Sequence, residues 1–135
     1  MRYAYLDSSA IVKLVAREAE TAALEHDLAD RDGLLTSGLS LAEVTRAVGR
    51  VKRPKLLQRV ADVFDALVLV DVTRPILMDA ATIPPAELRS LDAIHLATAR
   101  SLHGDDGNDL DFITYDDRLA KAARAADLTV RQPGR

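Results

Sequence analysis

Four acidic residues have the type and the setting to bind a cation: Asp7, Glu43, Asp92 and Asp116. Asp7 and Asp116 each follow a short apolar segment and precede a helical pattern, so we expect them at the carboxyl ends of two strands, where open α/β sheets gather their ligands. Asp92 lies in a helical segment that is apolar on most sides, where an unpaired charge would be costly. Carboxylates that converge in one cleft repel each other, and a hard divalent cation, Mg²⁺ or Mn²⁺, removes that repulsion. The predicted chemistry is hydrolysis of a phosphodiester by a metal-activated water.

Each acid also has an ordinary structural interpretation. Aspartate favours turns and helix N-caps, which alone would account for Asp7 and Asp116. Glu43 stands three residues after Ser40, the spacing of a capping box, or could pair with Arg46 or Arg50 on a solvated face. Asp92 could be an acid that the helix dipole favours in a first turn. One acid alone favours the structural interpretation, whereas the four together favour a metal site.

Hydroxyl groups and one histidine accompany the acids. Ser8 or Ser9 could cap the first helix and hydrogen-bond a ligating carboxylate, and Thr114 could do the same for Asp116. Plain N-caps and strand ends are equally good interpretations of these residues. His95 is predicted to be a packed histidine without a catalytic role, because no acid or hydroxyl partner is visible in the sequence.

Composition limits the class of protein. The chain has 135 residues, 48% hydrophobic and 29% charged, which is typical of a single globular domain. The absence of cysteine excludes disulfides and thiolate sites, and the three histidines lack zinc spacing. Neither a membrane-spanning run nor a signal peptide is recognisable, so the expected compartment is cytoplasmic and no membrane partner is predicted.

Charge is unevenly distributed around a net value of −3, which excludes a globally basic nucleic-acid binder. Residues 44–61 contain six basic residues and no acid, and residues 105–117 contain six acids and no base. This asymmetry suggests a positive surface for an anionic partner beside a negative metal site. A solvated surface is an equally good interpretation of the basic run.

Strands and helices alternate along the chain, and they must position these residues. Strands are predicted over residues 3–6, 34–37, 68–72, 111–114 and 128–130. Helices are predicted over residues 9–16, 18–30, 41–51, 54–67, after Pro75, over 91–99 and over 119–126. This alternation favours parallel strands joined by right-handed helical crossovers, with helices on both faces of the sheet.

The segments around the four acids resemble the PIN-domain ribonucleases and, among them, the VapC-like toxins of toxin–antitoxin pairs. The matching segments are Tyr5-Leu6-Asp7-Ser8-Ser9-Ala10, Ser40-Leu41-Ala42-Glu43-Val44, Leu91-Asp92-Ala93-Ile94-His95-Leu96-Ala97 and Ile113-Thr114-Tyr115-Asp116-Asp117-Arg118-Leu119. They occur in the family's order, with 36, 49 and 24 residues between successive acids.

The resemblance implies the α/β class: a single-domain, PIN-like, three-layer α/β/α sandwich with a five-stranded parallel sheet in the order 3-2-1-4-5 and about seven helices. We expect this PIN domain to span residues 1–130, with residues 131–135 as a frayed C-terminal tail. The resemblance further implies an Mg²⁺-dependent (or Mn²⁺-dependent) endoribonuclease that acts on RNA as a toxin, usually as a homodimer, and is inhibited by a small cognate antitoxin protein.

By position, the resemblance makes Asp7, Glu43, Asp92 and Asp116 the catalytic and metal-binding quartet, with Ser9 and Thr114 in support. Asp117 leaves the fourth acid ambiguous, and Asp116 is preferred because it keeps the Thr-x-Asp spacing. The acidic loop over residues 105–109 could bias metal affinity or simply be solvated.

Four basic residues become candidate contacts for RNA phosphate or for the antitoxin: Arg46, Arg50, Lys52 and Arg53. The alternative function is a non-catalytic PIN-like scaffold that binds a partner protein or RNA. A haloacid-dehalogenase-like phosphatase is disfavoured because it would want an acid where this chain has Ser9, and a receiver domain would need adjacent acids after the first strand.

Overall fold

Strands and helices alternate throughout the computed structural model, which describes residues 1–104 and 109–135. The strands are β1 (Arg2–Leu6), β2 (Gly33–Ser37), β3 (Val68–Val70), β4 (Asp109–Ile113) and β5 (Thr129–Arg131). The helices in these residues are α1 (Ser8–Val15), α2 (Thr21–Leu28), α3 (Leu39–Gly49), α4 (Pro54–Asp65), α5 (Arg74–Thr82), α6 (Ser90–Leu102) and α7 (Asp117–Ala125). Four residues of the acidic loop, 105–108, lie outside the described residues, so its predicted influence on a metal stays a prediction.

The five strands form one sheet in the order β3-β2-β1-β4-β5, and every neighbouring pair is parallel. The predicted order is confirmed. In the register between β1 and β4, Leu6 stands opposite Ile113. Asp7 and Thr114 therefore leave the sheet side by side at its carboxyl edge.

The alternation of side chains along β1 divides the core into two halves. Ala4 and Leu6 belong to a buried cluster with the apolar faces of α1, α2, α3 and α4. Tyr5 belongs to the opposite cluster with residues of α6 and α7, and its ring stacks on Phe112 at a centroid distance of 5.4 Å. The predicted three-layer sandwich is confirmed. No helix among the described residues combines the length and the apolar character that crossing a bilayer requires.

A buried arginine ties α2 to the two central strands. The side chain of Arg31 is fully buried, and its guanidinium lies 2.9 Å from Asp27 and 2.7 Å from Asp111. It also donates to the carbonyl oxygen of Tyr3, at 3.2 Å. Arg131, which is partly exposed, also forms ion pairs with both carboxylates, so losing the buried guanidinium would leave Asp27 and Asp111 with that one cation.

The start of α3 differs from the prediction. Gly38 rather than Ser40 occupies the N-cap position, and Ser40 is buried inside the helix. The hydroxyl of Ser37, the last residue of β2, accepts the backbone N–H of Leu39 at 3.1 Å. The helix thus begins two residues earlier than the capping-box pattern indicates and its N-cap residue provides no side-chain cap, so Glu43 is available for other contacts.

The second helix is shorter than the predicted range of residues 18–30. Lys13 of α1 binds Glu18 and Glu20, each at 2.7 Å, and Thr21 accepts the backbone N–H of Glu18 at 2.9 Å. These contacts hold the chain in a turn before α2 begins at Thr21. The remaining strand and helix ends differ from the predicted ones by only a few residues.

The C-terminal residues make contacts that the expectation of a frayed tail did not include. Arg131 belongs to β5. The hydroxyl of Tyr115 donates to the carbonyl oxygen of Pro133 at 2.7 Å, and Arg135 donates to the carbonyl oxygen of Tyr115 at 3.1 Å. The tail is therefore held against the loop that follows β4.

Candidate active site

The four predicted acids come from four elements near the carboxyl edge of the sheet. Asp7 leaves β1, and Asp116 follows β4 as the N-cap of α7. Glu43 lies on α3, and Asp92 lies in the first turn of α6. Their hydrogen bonds and ion pairs define three groups, one around Asp7, one around Glu43 and one that joins Asp92 to Asp116.

Asp7 is a buried carboxylate with neutral partners. It is only 3% exposed and caps α1 by accepting the backbone N–H of Ala10 at 3.0 Å. The hydroxyls of Ser9 and Thr114 donate to its two oxygens, each at 2.6 Å. No lysine or arginine among the described residues forms an ion pair with it. Burial raises the pKa of Asp7, and the hydrogen bonds from Ser9 and Thr114 only partly oppose that rise.

The two hydroxyls also fix the loops that follow β1 and β4. Ser9 Oγ accepts the backbone N–H of Tyr115 at 2.9 Å while it donates to Asp7. Thr114 Oγ1 accepts the backbone N–H of Asp116 at 3.1 Å. Thr114 was expected to support the Asp116 carboxylate, but its hydroxyl hydrogen goes to Asp7 instead. The adjacent strand ends make Asp7 its nearer partner.

Glu43 is held by Ser8 and His95. Its Oε1 accepts Ser8 Oγ at 2.5 Å and lies 2.7 Å from His95 Nε2. Burial raises the pKa of this carboxyl, but the hydrogen bonds from His95 and Ser8 outweigh burial and lower its pKa below the usual value. The network therefore keeps Glu43 ionised.

His95 is packed, as predicted, but it has an acid and a hydroxyl partner that were not visible in the sequence. It is 1% exposed, and Nδ1 lies 2.8 Å from the hydroxyl of Tyr5. An ionised carboxylate only accepts hydrogen bonds, so Nε2 must carry the hydrogen that faces Glu43. In the neutral ring Nδ1 then accepts from Tyr5, whose pKa is raised by burial, so its hydroxyl keeps its hydrogen. These partners lie 90 and 52 residues away in sequence. The sequence feature that could have indicated this position is the spacing of three residues, about one helical turn, between Asp92 and His95 on the same helix.

Arg89 joins the remaining two acids, and the sequence analysis missed it. Its side chain is 76% exposed, yet Nε donates to Asp92 Oδ2 at 3.0 Å and Nη2 donates to Asp116 Oδ2 at 3.2 Å. The other oxygen of Asp116 accepts the backbone N–H groups of Arg118 and Leu119 as the cap of α7. The i, i+3 spacing of Arg89 and Asp92 was the only local signal of this contact.

Asp117 faces away from this group. Its carboxylate is 83% exposed, lies 3.5 Å from the guanidinium of Arg135 and accepts from Gln132 at 3.2 Å. Of the two adjacent acids, Asp116 is thus the one that lies beside Asp92.

The donor chemistry suits a hard cation, although in the described part of the chain no three carboxylate or imidazole side chains are arranged as a ready-made metal site. All four acids offer oxygen, which Mg²⁺ and Mn²⁺ prefer. Asp7 is buried without a countercharge, while Asp92 and Asp116 already share one cationic group. The four residues fit a divalent ion in their chemistry.

The predicted basic contacts lie along α3 and the turn that follows it. Arg46 and Arg50 stand three and seven residues after Glu43, on the same side of the helix. All four candidates are exposed, and none forms an ion pair with another described residue: Arg46, Arg50, Lys52 and Arg53. Arg59, from the same basic run, instead donates to the carbonyl oxygens of Leu14 and Val15 and closes the end of α1.

Comparison with known proteins gives a consistent result. The family model described as PIN domain matches residues 4–125. Ribonuclease VapC47 of Mycobacterium tuberculosis (strain CDC 1551 / Oshkosh) is 37% identical over 134 residues, and Ribonuclease VapC46 of strain ATCC 25618 / H37Rv is 43% identical over 132 residues. In each case the match covers 96% of both chains. Among solved structures, a chain of a toxin–antitoxin complex from Klebsiella pneumoniae is similar with a TM-score of 0.70 at 20% identity, covering 96% of this chain and 97% of that one.

Proposed function

The chain belongs to the PIN-domain family and, within it, to the VapC ribonucleases, and from this premise we propose that it is a divalent-metal-dependent endoribonuclease that acts as the toxin of a toxin–antitoxin pair. The observation that carries the proposal is Asp7. This carboxylate is buried at the carboxyl edge of the sheet, and among the described residues it is bonded only to neutral donors and forms no ion pair. A buried charge of this kind is costly unless a cation compensates it.

The acids Asp7, Glu43, Asp92 and Asp116 would hold Mg²⁺ or Mn²⁺, which supplies a polarised phosphoryl oxygen and a water of lowered pKa. Ser9 and Thr114 fix the direction of both oxygens of Asp7. Outer partners of this kind orient ligands and tune their basicity.

Other residues prepare the site for an anionic substrate. Ser8 and His95 keep Glu43 ionised and fixed. Arg89 places a planar guanidinium beside Asp92, a group suited to bidentate recognition of a phosphate. The chain's own residues thus supply both the negative ligands and a positive group at the place where a phosphodiester would react.

The proposed partners follow from the same family assignment. The related solved chain comes from a toxin–antitoxin complex, which supports a cognate antitoxin as the partner here. The exposed residues of α3 and the following turn offer either RNA or the antitoxin a basic surface: Arg46, Arg50, Lys52 and Arg53. A homodimer and a cytoplasmic location complete the proposal.

Cleavage of RNA in Mg²⁺, with and without EDTA, tests the enzyme. Asp7→Asn and Asp92→Asn should each reduce the rate more than about 100-fold, since loss of an outer partner alone costs about 10–100-fold. The matched control is Asp117→Asn, an exposed acid that should leave the rate unchanged. Cleavage that survives EDTA and both substitutions would refute the metal mechanism.

Expression in a bacterial host separates the enzyme from a non-catalytic scaffold. Wild-type protein should arrest growth, and Asp92→Asn should be tolerated at equal expression. Equal growth of the two strains would favour the scaffold.

A further inference from the structure

A pocket lies beside the acids and has no part in the function described so far. Its volume is about 450 Å³, within the usual range of about 300–1,000 Å³ for small-ligand sites. One wall is the segment before α6, with Pro84, Pro85 and Leu88, and the opposite wall is α7, with Ala122 and Ala125. Asp92 lines the same pocket. Arg89 lines it as well, so the pocket and the candidate active site share two side chains.

Cationic groups outnumber acids around this pocket. Arg118 and Lys121 line it from adjacent turns of α7, both are exposed, and neither has an ion-pair partner in the described part of the chain. Arg89 lines it too and reaches towards the acids. Glu87 and Asp92 supply the negative charge, and Asp92 is already paired with Arg89. Two positive groups thus remain available to an anion.

We propose that the pocket binds one nucleotide of a single-stranded RNA, next to the phosphodiester that is cut. The base lies between the apolar walls, and its phosphate contacts Arg118 and Lys121. This inference rests on the proposed ribonuclease function. Because Asp92 borders both sites, a nucleotide in the pocket places the adjoining phosphodiester at the acids.

Charge and shape favour RNA over a peptide as the occupant. An apolar slot with unpaired cations at its edge matches a flat base joined to a phosphate, and basic grooves that follow the backbone are typical of single-strand binding sites. The pocket has no aromatic residue among its described lining. Its contact with the base is therefore apolar and tolerant of base identity, and the guanidinium of Arg118, which has no carboxylate partner among the described residues, is a planar group that can stack.

Binding of a fluorescein-labelled RNA 12-mer, measured by anisotropy in EDTA over a salt series, tests the phosphate contacts. Arg118→Ala and Lys121→Ala should weaken binding and reduce the slope of log K against log salt by about 0.7 each, the value for one single-strand phosphate contact. The matched control is Arg124→Ala, an exposed cation on the same helix that does not line the pocket. It should leave the slope unchanged.

A filled pocket tests the base contact separately. Ala125 is exposed and lines the pocket, so Ala125→Leu should weaken RNA binding while the salt slope stays at the wild-type value. In Mg²⁺ the same variant should raise KM and leave kcat near wild type. If Arg124→Ala and Lys121→Ala reduced the RNA affinity and the salt slope equally, the proposal would be overturned. RNA would then be attracted by the overall positive charge of α7 and not by specific contacts in the pocket.

Two further results separate the pocket from the nuclease itself. In the first, the wild-type protein cleaves RNA, and the Lys121 and Ala125 variants bind RNA as tightly as wild type. This result would refute the pocket proposal and leave the nuclease proposal intact, even if these variants lose binding to a co-purified antitoxin. Weakened RNA binding by these variants, in a protein that cuts no RNA, would support the pocket and refute the nuclease.

Discussion

Replacing His95 by leucine is expected to lower the free energy of unfolding by about 2.5–4.5 kcal/mol. The hydroxyl of Tyr5 is buried and has the imidazole as its partner at 2.8 Å, with Ser37 and Thr98 as further polar neighbours, so losing the imidazole removes the acceptor of a buried donor at a cost of about 1–3 kcal/mol. Glu43 keeps its hydrogen bond from Ser8 and some contact with water in this variant. Losing the hydrogen bond from His95 Nε2 should therefore cost about 1.5 kcal/mol, the lower end of the range for a charged acceptor. The total is a large fraction of a typical stability of about 5–15 kcal/mol.

A second substitution separates the two contributions. Tyr5→Phe in the His95→Leu background removes the unpaired hydroxyl and should recover about 1–3 kcal/mol, because two apolar partners of similar shape leave no polar group unsatisfied. Tyr5→Phe alone should instead destabilise the protein, since Nδ1 then loses its donor. The two substitutions are therefore expected to be strongly non-additive.

Urea unfolding followed by circular dichroism at pH 7 in EDTA measures this cycle. Tyr3→Phe serves as the matched control, because Tyr3 lies in the same strand and, among the described residues, its hydroxyl is bonded to the exposed side chain of Met1; its effect should add to that of His95→Leu. Additive free energies for Tyr5→Phe and His95→Leu would refute the buried hydrogen-bonded chain.

The other predictions concern charged groups. Because burial raises the pKa of Asp7, the folded state binds the proton of this carboxyl more tightly than the unfolded state does. The free energy of unfolding should therefore fall as the pH rises from the usual carboxyl pKa to the raised one. Asp7→Asn should remove this pH dependence and be more stable than wild type at neutral pH without metal. Arg31→Leu should destabilise the fold by about 3 kcal/mol in thermal melting, the lower end for a broken buried ion pair, because Asp27 and Asp111 lose their buried cation and keep only the partly exposed Arg131. Arg89→Gln should tighten Mg²⁺ binding in titration calorimetry, because it removes a competing cation.

Controls and contrary outcomes accompany these three experiments. Asp117→Asn should retain the wild-type pH dependence, and parallel curves for wild type and Asp7→Asn would contradict the first prediction. Arg17→Leu removes an exposed arginine that has one carboxylate partner, and it should change the melting temperature little. Equal losses for the two arginine variants would contradict the second prediction, and weaker Mg²⁺ binding by Arg89→Gln would contradict the third.

Patterns within one strand or one helix predicted the framework well. The alternation of apolar segments placed the strands within a few residues, and the resemblance supplied their order, which the register of β1 with β4 confirms. The same patterns placed Asp7 at the end of the first strand. These features depend on neighbours in sequence, so local physical rules are sufficient.

Contacts across the sheet could not be predicted in the same way. Ser40 and Glu43 have capping-box spacing, but the backbone N–H of Gly38 donates to the carbonyl oxygen of Val70 in β3, and the helix begins directly after Gly38. Tyr5 and His95 are 90 residues apart, and their contact requires both the pleat of β1 and the rotation of α6. Sequence spacing carries no information about these tertiary quantities.

Arg89 forms a bridge between Asp92 and Asp116, so a divalent ion that binds these two acids has to replace the guanidinium as their counterion. Without a divalent ion the two carboxylates already share a positive group on an exposed, movable side chain. An ion that binds both acids must displace that guanidinium, which then becomes available to an incoming phosphate. The apparent affinity for the metal should therefore rise when the RNA backbone is present, since each ligand relieves a cost that the other would otherwise bear.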